Sequence, residues 1–349
     1  MSKPTGTYQG RVVGTIANGI QTLRYFGLVQ DQWTGAVLEP NEGTLWSLGS
    51  CTKSFTATLL GFQAAQASAP LYPLIAQYLT GGDIPIALAD ITLEQLASMH
   101  AGLPSTVGAP LNEMSTIFTE LLNPSIYRKP IPGRPPFFYS DLSYALLSFA
   151  TVALAGSPPS DMNQLPADVF AMMQREIFAP LAMPSATFYP PARNAAYNFP
   201  YGNSATGPVN GGKSDWPPYD GAGALYMTAP DLMTWLAANM AGAAGPLGTV
   251  ATFVQSDPRP TNNWLEGEFV MRGWFAKTFA ARGETLTMVD KNGDIAGFHC
   301  GVAFLAPLEP GGNSDYGVFV ACNYEQDTIP LLEQNLAAII AAGTARAAR

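Results

Sequence analysis

The two ends of this chain are patterned for strands and its middle for helices, and that distribution restricts the fold more than any single motif. Near the start, RVVGTIA and TLRYFGL (within Arg11 to Leu28) are apolar alternations separated by a break holding Asn18-Gly19, the strongest short hairpin signal. Near the end, Thr285 to Asp290, Cys300 to Leu305 and Tyr316 to Cys322 read as three successive strands, each followed by turn residues, and Ile329 to Ala342 as a closing amphipathic helix. Between them, Lys53 to Ala67 carries apolar residues at helical spacing and ends near Pro70, and Leu142 to Ala155 reads as a buried helix. Residues 70 to 245 mix short helical patterns with many breaks, among them Pro130, Pro132, Pro135, Pro136 and Pro217-Pro218, which predicts long ordered loops around helices. The expected fold is α/β (α+β): a discontinuous domain from 1–60 and 246–349, with a mainly helical domain inserted over 61–245. A length of 349 residues agrees with roughly two domains.

Composition narrows the function classes. Hydrophobic residues make up 47% and charged residues 12%, enough apolar material for large cores and too little charge for a disordered chain. The 17 Lys and Arg against 26 Asp and Glu, with no basic run, speak against a nucleic-acid partner. Three scattered cysteines (Cys51, Cys300, Cys322) suit neither a disulfide framework nor a zinc cluster, and two histidines (His100, His299) make a multi-His metal site unexpected. No cofactor or metal is expected. The stretch Leu142 to Ala155 is short for a membrane span. The start, MSKPTGTYQG, lacks a charged segment followed by an apolar run, so a cytoplasmic location is expected unless a leader has been removed.

Three segments carry candidate chemistry. The G-x-S-x-G nucleophile elbow is absent, and nothing places either histidine against a serine, so the expected mechanism does not use histidine. In Leu48-Gly49-Ser50-Cys51-Thr52-Lys53 a helical pattern begins at about Ser50, which would put Lys53 one turn on, its amine within reach of the hydroxyl. A serine needs a base to become a nucleophile, and a helix N-terminus presents N–H groups where an oxyanion would form. With 19 serines and six lysines the S-x-x-K spacing arises by chance roughly 0.3 times in such a chain, so alone it reads as well as a capping serine and a solvated lysine. In Tyr139-Ser140-Asp141, ahead of the helix, Tyr139 and Asp141 could face one cleft; the simpler reading is a packing aromatic followed by a capping Asp. Lys291-Asn292-Gly293 follows the strand LTMVD and precedes a turn over Asp294 to Gly297, which alone would be an ordinary hairpin with an exposed lysine.

Together and in this order, the three segments resemble the serine β-lactamase and penicillin-binding-protein superfamily, most closely the class C β-lactamases and their esterase and D-amino-acid peptidase relatives. TLWSLGSCTKSFTATLLG resembles the nucleophile helix of that family and ITLEQLASMHAGLPS the loop after the first helices. FFYSDLSYALLSFA resembles the tyrosine motif, GAGALYMTAPDLMTWL a later loop, and DKNGDIAGFHCGVAFLAP the third motif with its strand. The likeness runs from about residue 40 to 325. It implies an antiparallel sheet flanked by helices, an active site where the sheet domain meets the helical one, and acylation of Ser50. Lys53 and Tyr139 would share the proton transfers, the partition between them left open. Lys291 would lie near Tyr139, favour its anion and attract a substrate carboxylate where one exists. The N–H groups of Ser50 and Asp294 would form the oxyanion hole. His299-Cys300-Gly301 is a rival third motif, but Lys291-Asn292-Gly293 leaves room for the following turn and strand, making His299 a packing or rim residue.

Two departures bear on substrate. Asp141 stands where the family has asparagine; an ionised carboxylate cannot donate to a substrate amide, and beside Lys53 it would favour the charged amine. Asn292 replaces the usual Thr or Ser, removing a hydroxyl that helps hold a carboxylate. The expected activity is therefore an esterase, amidase or acyltransferase on a small ester or amide. A β-lactamase or D-alanyl-D-alanine carboxypeptidase and a catalytically silent binding relative are the alternatives. Oligomeric state is not legible.

Overall fold

A computed structural model describes residues 7–66, 90–106, 120, 123–126, 136–156, 164–190, 193–211, 217–307, 309 and 311–347. The expected end of the first helix over Ala67 to Pro70, and Pro130, Pro132 and Pro135, lie outside the described residues.

Both ends of the chain contribute to one antiparallel sheet of eight strands: β1 (Gly10–Ala17), β2 (Ile20–Gly27), β3 (Arg259–Pro260), β4 (Glu268–Val270), β5 (Phe275–Ala281), β6 (Glu284–Ile295), β7 (Phe298–Leu305) and β8 (Tyr316–Cys322). Their spatial order is β2-β1-β8-β7-β6-β5-β4-β3, so the N-terminal hairpin docks on the last strand through pairs such as Val13 with Val320. The turn joining β1 and β2 is the expected one: Asn18 and Gly19 both take positive φ, 49° and 79°, which a two-residue turn between right-twisted strands requires.

Two corrections concern strands. Residues 259–281 supply three strands the sequence did not announce, and the middle of the chain adds a hairpin (Gly202–Ser204 with Gly207–Val209) and a ladder of Leu45–Ser47 with Tyr226–Thr228. The Lys291 segment is not a strand end. β6 runs through it to Ile295, pairing Asn292 with Gly301 and Asp294 with His299, so the turn shrinks to Ala296 and Gly297. Cross-strand bonding outweighs the turn preference of Asn-Gly-Asp.

Helices cover both faces. On one side α8 (Thr328–Ala347) lays Leu332, Leu336 and Ile340 against Ala303, Val318 and Val320. The other side holds α1 (Thr52–Gln66), α2 (Leu93–Ala97), α3 (Asp141–Leu154), α4 (Leu165–Met173), α5 (Asp220–Gly223), α6 (Ala229–Met240) and α7 (Thr249–Val254). α1 is enclosed on all sides over Thr52 to Gly61, where Phe55 stacks on Trp235 at 3.8 Å. Its buried hydroxyls find backbone partners: Thr58 donates to Ser54 O and Thr56 to Gly221 O. An ion pair of Arg272 Nε with Glu94 Oε2 at 2.5 Å, both nearly inaccessible, joins α2 to the loop before β5. Among the described residues no helix is long and apolar enough to cross a membrane, and no group of three or more His, Cys, Asp or Glu side chains could hold a metal ion. The three cysteines are free and buried.

Candidate active site

Ser50 sits in a single 3-10 turn (Gly49–Cys51) that runs into α1, where the hydroxyl of Thr52 donates to Gly49 O at 2.7 Å. One turn on, Lys53 Nζ lies 3.0 Å from Ser50 Oγ. The turn is pressed against β6: Cys51 Sγ donates to Lys291 O at 3.1 Å, and a Cβ at Gly293 would stand 2.0 Å from Leu48 O and 2.6 Å from Ser50 N. Only glycine admits that approach, which brings the backbone of Gly293-Asp294 beside the nucleophile turn.

Lys53 is fully buried and its ammonium has three acceptors: Ser50 Oγ, Asp141 Oδ1 at 2.5 Å and Ala222 O at 2.8 Å. Burial works to lower its pKa, yet the charges and hydrogen bonds of Tyr139 and Asp141 prevail and hold it above the ordinary lysine value. Lys53 is thus a resident cation with its protons spoken for. Asp141 can reach it because the helix cap falls one residue earlier than the sequence suggested: Ser140 Oγ accepts from Ser143 N–H at 2.9 Å, leaving the Asp141 carboxylate on the first turn of α3, where the helix dipole favours it.

Tyr139 completes the cluster. Lys291 Nζ donates to its oxygen at 3.4 Å, and the ammonium groups of Lys53 and Lys291 lie 5.1 Å and 5.3 Å from its ring centre. Burial pushes this phenol up and Asp141 adds to that. The Lys291 and Lys53 cations and a hydrogen bond with Ser50 outweigh both, so its pKa falls below the ordinary tyrosine value. The site therefore supplies one serine hydroxyl, one amine biased towards its charged form and one phenol biased towards its anion.

Ser50, Tyr139, Asp141, Asn292, Gly293 and Asp294 all line one cleft of about 520 Å³. Lys53 and Lys291 lie beneath its floor, each fully buried. His299 is at the rim, its Nδ1 2.6 Å from Asp294 Oδ1, while His100 is held by the carbonyls of Ser98 and Pro260 and does not line the cleft. Sequence reasoning missed the far wall: Phe137 and Phe275 edge to face at 6.1 Å, Glu268, and the buried pair Asp290–Lys277 at 3.3 Å. Burial pushes the Asp290 carboxyl up to about 6 against the pull of Lys277 and Lys291. The unannounced strands β4 and β5 carry three of these residues, and the carbonyl of Ala222 has no sequence signature at all.

A serine hydroxyl, a buried lysine one helical turn away and a tyrosine–lysine pair from other elements thus meet at one cleft beside a sheet covered by helices. The chain belongs to the Beta-lactamase family, which its sequence matches over residues 8–340; it is a serine hydrolase of the β-lactamase and penicillin-binding-protein superfamily. Its fold is similar to that of a tyrosine-to-phenylalanine mutant of a class C beta-lactamase, with a TM-score of 0.74 at 15% identity, covering 95% of this chain and 92% of the other. None of the curated proteins matches the sequence.

Proposed function

We propose that the protein is an esterase, amidase or acyltransferase that forms an acyl-enzyme on Ser50 of a small ester or amide substrate. The observation that carries this reading is geometric: Lys53 Nζ lies 3.0 Å from Ser50 Oγ and 2.5 Å from Asp141 Oδ1, while Lys291 Nζ lies 3.4 Å from the Tyr139 oxygen; these contacts bias Lys53 towards its charged form and Tyr139 towards its anion. The site then lies where the sheet domain (1–60 and 246–349) meets the helical insertion (61–245), because Ser50 and Lys291 come from the first and Tyr139 and Asp141 from the second.

In this mechanism the Tyr139 phenolate takes the Ser50 hydroxyl proton as Oγ bonds the acyl carbon and the carbonyl pair moves onto oxygen. The N–H groups of Ser50 and Asp294 receive that oxyanion. Collapse breaks the bond to the leaving group, which takes the proton from Tyr139. Water, or another nucleophile, then gives its proton to the renewed phenolate and displaces Ser50 Oγ, which recovers the proton. Lys53 supplies positive charge and orients Ser50, and Lys291 keeps the phenol acidic. Asp141, where an amide donor would serve a penicillin side chain, supports the ester or amide reading over a β-lactamase.

Intact-mass analysis after exposure to p-nitrophenyl esters, D-amino-acid amides and penicillins tests this. A single acyl adduct from the esters or amides, lost in Ser50→Ala along with fluorophosphonate labelling, is the expected result. Turnover of penicillins alone would reassign the protein as a β-lactamase, and unchanged mass with every donor would make it a silent relative.

A further inference from the structure

Lys291 is fully buried, yet its ammonium, with three protons to donate, meets only two oxygens among the described residues: Asn292 O at 2.5 Å and the Tyr139 hydroxyl at 3.4 Å. Lys53 beside it has three acceptors. A buried cation short of an acceptor needs its charge met in another way. Two aromatic faces do this. Lys291 Nζ stands 5.3 Å from the ring centre of Tyr139 and 5.4 Å from that of Phe275, both within cation–π range. The Phe275 ring lines the cleft while the ammonium is shut away from it, so the ring is part of the wall between the cation and cleft water.

The ring is firmly held. Phe275 opens β5, in register with Asp290 next to Lys291, and packs edge to face on Phe137 at 6.1 Å. The turn before it is pinned on α1: Gly273 takes φ 80°, and a Cβ there would stand 2.8 Å from Lys53 O. Trp274 is fully enclosed, its ring 5.5 Å from that of Phe304.

We propose that Phe275 is a positioning residue of this centre: its ring seats the Lys291 ammonium against the Tyr139 oxygen and keeps water out of the space between them. The inference rests on the acyl-serine reading above, in which Tyr139 is the base and Lys291 favours its anion, and it adds the side chain that makes Lys291 effective.

Phe275→Leu, which keeps apolar volume and removes the aromatic face, and Phe275→Tyr, which keeps both, test it on a neutral p-nitrophenyl ester. The leucine variant moves the acid limb of kcat/KM to higher pH, with the rate below the limb about threefold or more lower and recovering as the pH is raised. The tyrosine variant leaves the limb in place. Water admitted by the smaller side chain screens Lys291 more than it further hydrates a phenol already 36% exposed, which fixes the sign. Because the ring acts through Lys291, Phe275→Leu shifts nothing further in a Lys291→Met background. The charged groups facing the phenol are Lys291 of β6, Lys53 of α1 and Asp141 of α3. Asp290 of β6, paired with Lys277 of β5, also feels Lys291 and titrates at about 6. The limb is therefore assigned by ultraviolet difference titration of each variant against the same variant carrying Tyr139→Phe. Phe275→Met repeats the measurement with another shape if Phe275→Leu does not melt cooperatively. A limb that stays in place without the ring, moves as far in Phe275→Tyr, or moves again on top of Lys291→Met would overturn the proposal. The titration needs no turnover: a displaced phenol without ester hydrolysis sinks the acyl-serine reading alone, and hydrolysis with an undisplaced phenol sinks this inference alone.

Discussion

Lys291→Met isolates the electrostatic reasoning about Tyr139. The ammonium lies 3.4 Å from the phenol oxygen, and it is the foremost of the charges that pull the phenol's pKa down against burial. At that separation two unit charges interact by about 5 kcal/mol at an effective dielectric of about 20, and about 1 kcal/mol in bulk water. Tyr139 is 36% exposed, so solvent screening places the effect in the lower part of that range. If the phenolate is the base, kcat/KM rises with pH through the Tyr139 pKa; removing the cation raises that pKa and moves the acid limb to higher pH. Below the limb the rate falls about tenfold for each pH unit by which the limb moves, and it recovers as the pH is raised. Methionine fills much of the buried lysine's volume, and a thermal melt checks that the fold survives. The assay is a pH–rate profile on a neutral p-nitrophenyl ester, paired with an ultraviolet difference titration of wild type against Tyr139→Phe that assigns the limb to the phenol. A uniform drop in rate with the limb in its original place would refute the assignment of Tyr139 as base.

Two further outcomes concern stability. Glu94→Gln strips the buried Arg272 guanidinium of its 2.5 Å partner; retained bonds such as Nη1 to Phe253 O at 2.7 Å keep the loss near the low end of the about 3–5 kcal/mol typical of a broken buried pair, read by urea denaturation. Asp290 has its folded pKa raised to about 6 from 3.8. The fold therefore loses stability as pH rises through that window, by about 3 kcal/mol once above it. Asp290→Asn consequently raises the melting temperature relative to wild type more at pH 7 than at pH 4, and an equal effect at both would contradict the burial argument.

What the sequence disclosed follows from which forces are local. The N-terminal hairpin, α1, α3 and the closing helix were readable because periodicity and turn chemistry act over a few residues, as at Asn18-Gly19. β5 was not: in FAKTFAA the buried positions include small Ala281 beside Phe275 and Phe279, and alternation that weak does not stand out. The turn after Lys291 was misplaced because Asn292, Gly293 and Asp294 are individually turn formers, and only pairing with Gly301, Cys300 and His299 keeps them extended. In the site, helical spacing put Lys53 within reach of Ser50 but alone favoured a capping serine and a solvated lysine; the roles of both, like those of Tyr139 and Lys291, which stand 152 residues apart, depended on family resemblance. The Lys277–Asp290 pair depends on strand register, and the Ala222 carbonyl on backbone placement, neither of which leaves a mark in composition or spacing.

The clustering of Lys53, Asp141, Tyr139 and Lys291 also links substrate charge to rate. Lys53 and Asp141 form a pair in contact at 2.5 Å, so seen from the phenol their charges largely cancel and Lys291 tips the balance towards the anion. Any ligand charge placed in the cleft acts on the same phenol. A carboxylate bound near Lys291 would offset that cation, raise the Tyr139 pKa and withdraw the base; a bound ammonium would act in the opposite sense. A substrate carboxylate would therefore lower the fraction of enzyme carrying phenolate. This contribution has its own signature. The acid limb of kcat, which reports the complex, lies at higher pH for a p-nitrophenyl ester ending in a carboxylate than for one of equal length ending in trimethylammonium, and coincident limbs would refute the coupling.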